Sequence, residues 1–82
     1  MKNDSRVNAI VVEVMTMGLT RIIVLRRTKK NPDSWRAVST DTYGRVKSSY
    51  VTTDQVKETL MVSQQRRFLI KYLDKDNNPL LP

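Results

Sequence analysis

Residues Val7–Thr16 (VNAIVVEVMT) and Thr20–Thr28 (TRIIVLRRT), separated by Met17-Gly18-Leu19, form the stretch whose reading decides the fold. Both arms are rich in Val and Ile, whose branched Cβ is stiff at χ1 and suits a pleated surface. Gly18 can take φ > 0, as the first central residue of a type II′ turn requires. A β-hairpin is therefore expected, with Gly18-Leu19 as its two-residue loop. That loop pairs Met17 with Thr20, Met15 with Ile22, Val14 with Ile23, Glu13 with Val24 and Val12 with Leu25. One face of the ribbon then holds Ile10, Val12, Val14, Ile23 and Leu25, an apolar strip suited to a core. The other holds Val11, Glu13, Met15, Ile22, Val24 and Arg26, and is apolar too apart from its charges. A ribbon apolar on both sides must be covered twice, by the rest of the domain and by a partner. The competing reading is one buried helix through Val7–Met17. Asn8, the β-branched run Ile10-Val11-Val12 and the stop at Gly18 weigh against it.

Outward from the hairpin, Met1–Arg6 is polar and expected to fray. Lys29–Ser34 reads as a loop, because Pro32 removes a donor and biases Asn31 away from helix. Trp35–Thr40 fits a short third strand with Trp35, Ala37 and Ser39 on one face. Asp41-Thr42-Tyr43-Gly44 is a turn by its chemistry. Arg45–Val51 fits a fourth strand, alternating Val46, Ser48 and Tyr50 with Arg45, Lys47 and Ser49. Thr52-Thr53-Asp54-Gln55 is a capping box, with Asp54 placed where the helix dipole favours an anion. A helix over about Thr53–Val62 puts Val56, Leu60 and Ser63 on one stripe. Beyond Gln65, helix and strand compete. A strand gathers Phe68, Ile70 and Tyr72 on one face, whereas a helix scatters them. Asp74–Pro79 is a turn, and Leu80-Leu81-Pro82 a short apolar end. The expected fold is α+β: a small antiparallel sheet of about four or five strands with one capped helix, in the order ββββαβ.

Eighty-two residues are expected to form a single basic β-rich domain. The chain has no Cys and no His, which removes disulfides, thiolates and the commonest zinc sites. Small folds without such staples depend on packing or oligomerisation, so a homodimer is expected. The run Ala9–Val14 is too short to cross a membrane, and Met1-Lys2-Asn3-Asp4 does not open a secretory signal. The expected location is cytoplasmic, in a bacterium or a host cell. Fifteen Lys and Arg against eight Asp and Glu give a net charge of +7. Residues 1–30 hold seven basic and two acidic side chains, so +5 of that excess lies there, mainly in the hairpin and the loop after it. Such a cluster raises affinity for phosphate backbones and speeds encounter with anionic partners; a plain solubilising surface has the same composition.

Chemistry is sparse. No His base, Cys nucleophile, Gly-rich phosphate loop or paired carboxylates are present, so a non-enzymatic protein without cofactor or metal is expected. Asp74, Asp76 and Asn78 alternate like calcium ligands, but no Gly or Glu stands where a calcium loop needs one. The candidate binding set is Arg26, Arg27, Lys29, Lys30, Trp35, Arg36, Tyr43, Arg45 and Lys47. Cations beside aromatic rings on a sheet suit single-stranded nucleic acid, because cations track phosphates and rings stack on bases. Against this, Trp35 and Tyr50 can be core; Trp35 alone is read first as core, because the domain has few large side chains, whereas Tyr43, in a turn, is read as exposed. Arg66-Arg67 fits either a phosphate contact or a charge that guards an edge strand.

Lys47-Ser48-Ser49-Tyr50-Val51-Thr52-Thr53-Asp54-Gln55-Val56 is a basic strand running into a Thr-capped helix. Together with the three preceding strands it resembles the single-strand-binding transcriptional positive-cofactor family over about residues 7–62. That resemblance implies a curved sheet that dimerises. The strand expected after the helix departs from the family pattern, and no functional residue is carried over. Two functions follow as expectations. The first is a nucleic-acid-binding module, DNA or RNA, using the basic sheet surface. The second is a small protein-binding inhibitor or regulator, for example virus-encoded, that occupies a host protein, meeting the partner's acidic surface or docking through a sheet edge or the hairpin's second apolar face.

Overall fold

The computed structural model describes residues 6–80. Five strands and one helix follow in the order β1 (Ala9–Thr16), β2 (Leu19–Arg27), β3 (Ser34–Asp41), β4 (Val46–Thr52), α1 (Thr53–Gln65) and β5 (Leu69–Leu73). The strands form one antiparallel sheet in the spatial order β4-β3-β2-β1-β5. The α+β class and the ββββαβ order are as expected from the sequence, including the strand after the helix.

The first hairpin differs from its expected register. Met17 and Gly18 are the two loop residues, so Thr16 pairs with Leu19, Met15 with Thr20, Val14 with Arg21, Glu13 with Ile22 and Val12 with Ile23. Gly18 takes φ +74° at the second central position, which leaves Leu19 in the strand. Moving the loop by one residue moves every partner by two. Side chains alternate with period two, so both faces keep their members. Ile10, Val12 and Leu25 are buried, and Val14 and Ile23 pack against them.

β4 and β5 lie at opposite edges of the sheet and run in the same direction. The helix must therefore cross the sheet while running back along it. Four inter-strand gaps span about 19 Å, and thirteen helical residues span about 20 Å. Thr52 starts the helix with a complete capping box: its hydroxyl accepts from the Gln55 N–H, and Gln55 Oε1 accepts from the Thr52 N–H at 2.8 Å. At the other end Arg67 takes φ +58°. The Phe68 N–H reaches the Ser63 carbonyl at 2.9 Å and the Arg67 N–H the Gln64 carbonyl at 3.1 Å. These are the paired bonds of a Schellman cap, with arginine where glycine is usual. This cap ends the helix and turns Phe68 onto the core.

Val56 and Leu60 fill one side of that core and Trp35, Ile10 and Val12 the other. Ser63, the one buried polar side chain among the described residues, donates to the Thr59 carbonyl at 2.7 Å. Trp35 is fully buried. Its indole N–H donates to Thr53 Oγ1 at 3.0 Å, and the Arg27 guanidinium lies 4.3 Å from its ring centroid. Leu80 docks against this core, its N–H bonded to the Tyr72 carbonyl at 2.8 Å. The remainder of the apolar end, Leu81-Pro82, and most of the leading segment, Met1–Ser5, lie outside the described residues.

Two outcomes test this account in urea unfolding. Trp35→Ala should cost about 3–5 kcal/mol, enough to leave a domain this small largely unfolded. Arg67→Gly should raise stability by roughly 0.5–1 kcal/mol. That is the left-handed penalty of a side chain less the extra chain entropy of glycine.

Candidate nucleic-acid interface

Helix α1 covers one face of the sheet, and the other face is open. The strand registers divide the open face into three cross-strand rows. The first is Leu73, Ala9, Arg26, Arg36 and Tyr50; the second is Lys71, Val11, Val24, Val38 and Ser48; the third is Leu69, Glu13, Ile22, Thr40 and Val46. The valines of the middle row are half-buried by their neighbours. Three cations and one carboxylate (Arg26, Arg36, Lys71 and Glu13) are distributed over this surface.

The nine candidate binding residues do not share one surface. Arg26 and Arg36 are direct cross-strand neighbours on the open face, with Tyr50 next in line. Lys29 and Lys30 are exposed in the loop beyond the same end of the sheet. Arg27 and Trp35 face the other way, because neighbouring residues on a strand point to opposite sides. Trp35 is core and is withdrawn as a stacking residue. Arg27 is engaged by structure: its Nε donates to the Val7 carbonyl at 2.7 Å, besides lying over the indole. Tyr43 and Arg45 sit at the opposite end of β3 and β4, about 17 Å or more away along the strands, and Lys47 lies three residues from Tyr50, about 10 Å away. Arg45 is ion-paired with Asp41 and lies 5.5 Å from the Tyr43 ring centroid. Lys47 points to the helix side, where it lines a shallow hollow with Arg21, Ser39, Asp41 and Arg45.

Tyr50 joins the open face beside the arginines, although sequence reasoning left it between core and surface. It is 71% exposed. The signal was the turn: once Asp41 and Arg45 are taken as a pair, counting back along both strands brings Tyr50 opposite Arg36. Arg26 is less available than Arg36, since its Nη1 donates to Asn77 Oδ1 at 3.1 Å. Among the described residues, neither arginine makes an ion pair with a carboxylate. Two arginines directly opposite each other repel, so this corner of the sheet favours an anion.

Asp41 organises the distant turn. Its Oδ1 accepts from the N–H groups of Tyr43 and Arg45 at 2.9 and 3.0 Å, and its Oδ2 meets the Arg45 guanidinium. Burial pushes its pKa up, but the Arg45 N–H, the Arg45 guanidinium and the Tyr43 N–H outweigh that and hold the carboxyl below its ordinary 3.8. An apolar groove of about 530 Å³ runs between the sheet and the outer side of α1, lined by Val14, Ile23, Val51, Val62 and Phe68 with Glu58 and Gln55 at its rim.

No protein-family model, curated protein or solved structure matches this chain. Among the described residues, no helix is long and apolar enough to cross a membrane.

The Asp41 network has a pH signature. A depressed folded-state pKa adds stability that is present above the unfolded value of 3.8 and lost as pH falls through the folded value. Carboxyl-carbon NMR should place the Asp41 midpoint below 3.8, and Arg45→Ala should move it upward.

Proposed function

We propose that this is a non-enzymatic nucleic-acid-binding protein that holds a single strand across the open sheet face. The row Arg26–Arg36–Tyr50 carries the proposal: an exposed ring for stacking beside two cross-strand guanidinium groups without a carboxylate partner among the described residues. Lys29 and Lys30 extend the positive field at that end of the sheet. In this role Arg36, Arg26 and the two lysines meet phosphates, and Tyr50 takes a base on its ring. A sheet face left open by the helix admits a strand whose bases are splayed, as single-stranded recognition requires.

A second reading rests on a different observation. Met15, Ile22, Leu69 and Met17 are 61%, 44%, 57% and 101% exposed at the far end of the same face and its hairpin tip. That patch suits a protein partner, as for a small regulator occupying a host protein. A partner retained after nuclease treatment of a pull-down, and lost in Ile22→Lys, would favour this reading.

Fluorescence titration with short single- and double-stranded oligonucleotides at two salt concentrations tests the first reading. Affinity should favour the single strand and fall steeply with salt. Tyr50→Ala should cost roughly 1–3 kcal/mol of binding, and Arg36→Ala should reduce the salt slope by about 1. Tyr43→Ala, at the other end of the sheet, should change neither. Absence of binding at low salt overturns the proposal.

A further inference from the structure

The two edges of the sheet are treated differently. Beside β5, Pro79 bridges Leu73 and the Leu80 N–H bonds to the Tyr72 carbonyl, so the returning chain covers that edge at one end. The outer edge of β4 has no such cover among the described residues. Its seven residues contain no Pro, one Lys as the only charge, and side chains that are all exposed except the half-buried Val51. An unguarded strand of this length is a template for another strand.

Backbone parity fixes what it can pair with. The Asp41 N–H bonds to the Arg45 carbonyl and the Thr53 N–H to the Asp33 carbonyl. Odd-numbered residues of β4 therefore point their backbone groups toward β3, and even-numbered ones point outward. Thr52 is occupied, its N–H bonded to Gln55 Oε1. Val46, Ser48 and Tyr50 remain. From this we infer that β4 pairs antiparallel with β4 of a second copy, with Ser48 on the two-fold axis. That register uses all three residues in six backbone hydrogen bonds, two from Ser48 facing its equivalent and four from the two Val46–Tyr50 pairs. It sets Val46, 62% exposed, beside Tyr50, 71% exposed, twice over. Lys47 then faces Ser49. Sliding one step so that Lys47 is on the axis opposes like charges; sliding the other way needs the occupied Thr52 N–H.

The pairing makes one ten-stranded sheet with a continuous open face. The association itself requires no nucleic acid. What rests on the proposed function is its consequence: two Arg26–Arg36–Tyr50 rows flank the seam, and one strand crossing it meets both. A seam of seven residues from each copy lies at the small end of specific interfaces, so the dimer is weak and its population rises with protein concentration.

Sedimentation across micromolar to millimolar protein, without nucleic acid, tests the inference. Wild type should shift from monomer to dimer. Ser48→Pro should remain monomeric with an unchanged circular dichroism spectrum, because proline is tolerated where an edge-strand N–H faces outward. Ser48→Cys should cross-link on mild oxidation, since facing Cα atoms in such a pair lie about 5.5 Å apart, whereas Lys57→Cys on the exposed side of α1 should not. A wild type that stays monomeric throughout, or a dimer in which Ser48→Cys and Lys57→Cys cross-link equally, overturns it. In the oligonucleotide titration, Ser48→Pro should keep binding but occlude about half the length. That result separates a failed dimer from a failed binding site.

Discussion

One helix has to carry the chain from one edge of a five-stranded sheet to the other, and its length is matched to that crossing. An α-helix with its side chains is about 10–12 Å across, while the face it crosses is roughly 19 Å wide and comparably long. A single helix can therefore bury only a diagonal strip. Trp35, Leu25, Ile10 and Val12 lie under that strip with Val56 and Leu60 above them. Everything outside it is left to solvent or to partners: the whole opposite face, the groove beside Val62 and Phe68, and the hollow around Arg21 and Lys47.

Trp35 shows how the strip is held. The largest fully buried side chain sits where β3 passes beneath the first turn of the helix, and its indole N–H ends on the hydroxyl of Thr53. The same first turn is fixed from outside by the capping box of Thr52 and Gln55. Arg27 closes the side of the ring, spending its charge against the indole and its Nε on the Val7 carbonyl. A basic residue counted toward binding in the sequence thus does packing work.

Element types were legible in the sequence because they rest on local chemistry. The capping box and the Asp41–Gly44 turn each point to one local structure, and the alternation of Phe68, Ile70 and Tyr72 favours a strand over the competing helix. The hairpin register was not legible, since Gly18 satisfies a turn at either central position. Only the gain from keeping Leu19 in the strand decides between them. The helix terminus was hidden for a related reason: arginine occupies the left-handed position where glycine would have marked the stop. The binding set was half legible. Sequence clustering of Arg26, Arg27, Lys29 and Lys30 suggested one patch, but the two-residue period of a strand sends Arg26 and Arg27 to opposite faces. Tyr50 emerges only once the register of β3 on β4 is known.

The pair Arg26–Arg36 bears most directly on function. Like charges directly opposite on a sheet are unfavourable, and a sequence under selection for folding alone has no reason to keep them together. Local rules agree over most of this chain, from the capping box to the turns to the buried stripe of α1, with Arg67 at φ +58° the other exception. A conflict within an otherwise consistent structure marks a place where something other than stability is served. An anion bridging the two guanidinium groups turns their repulsion into shared attraction. Tyr50 beside them gives that anion a context: a phosphate attached to a planar ring, rather than a carboxylate on a protein surface. The apolar patch around Ile22 provides no such resolution for the arginines, because it lies two rows away on the same face. For that reason the nucleic-acid reading stands ahead of the protein-binding one.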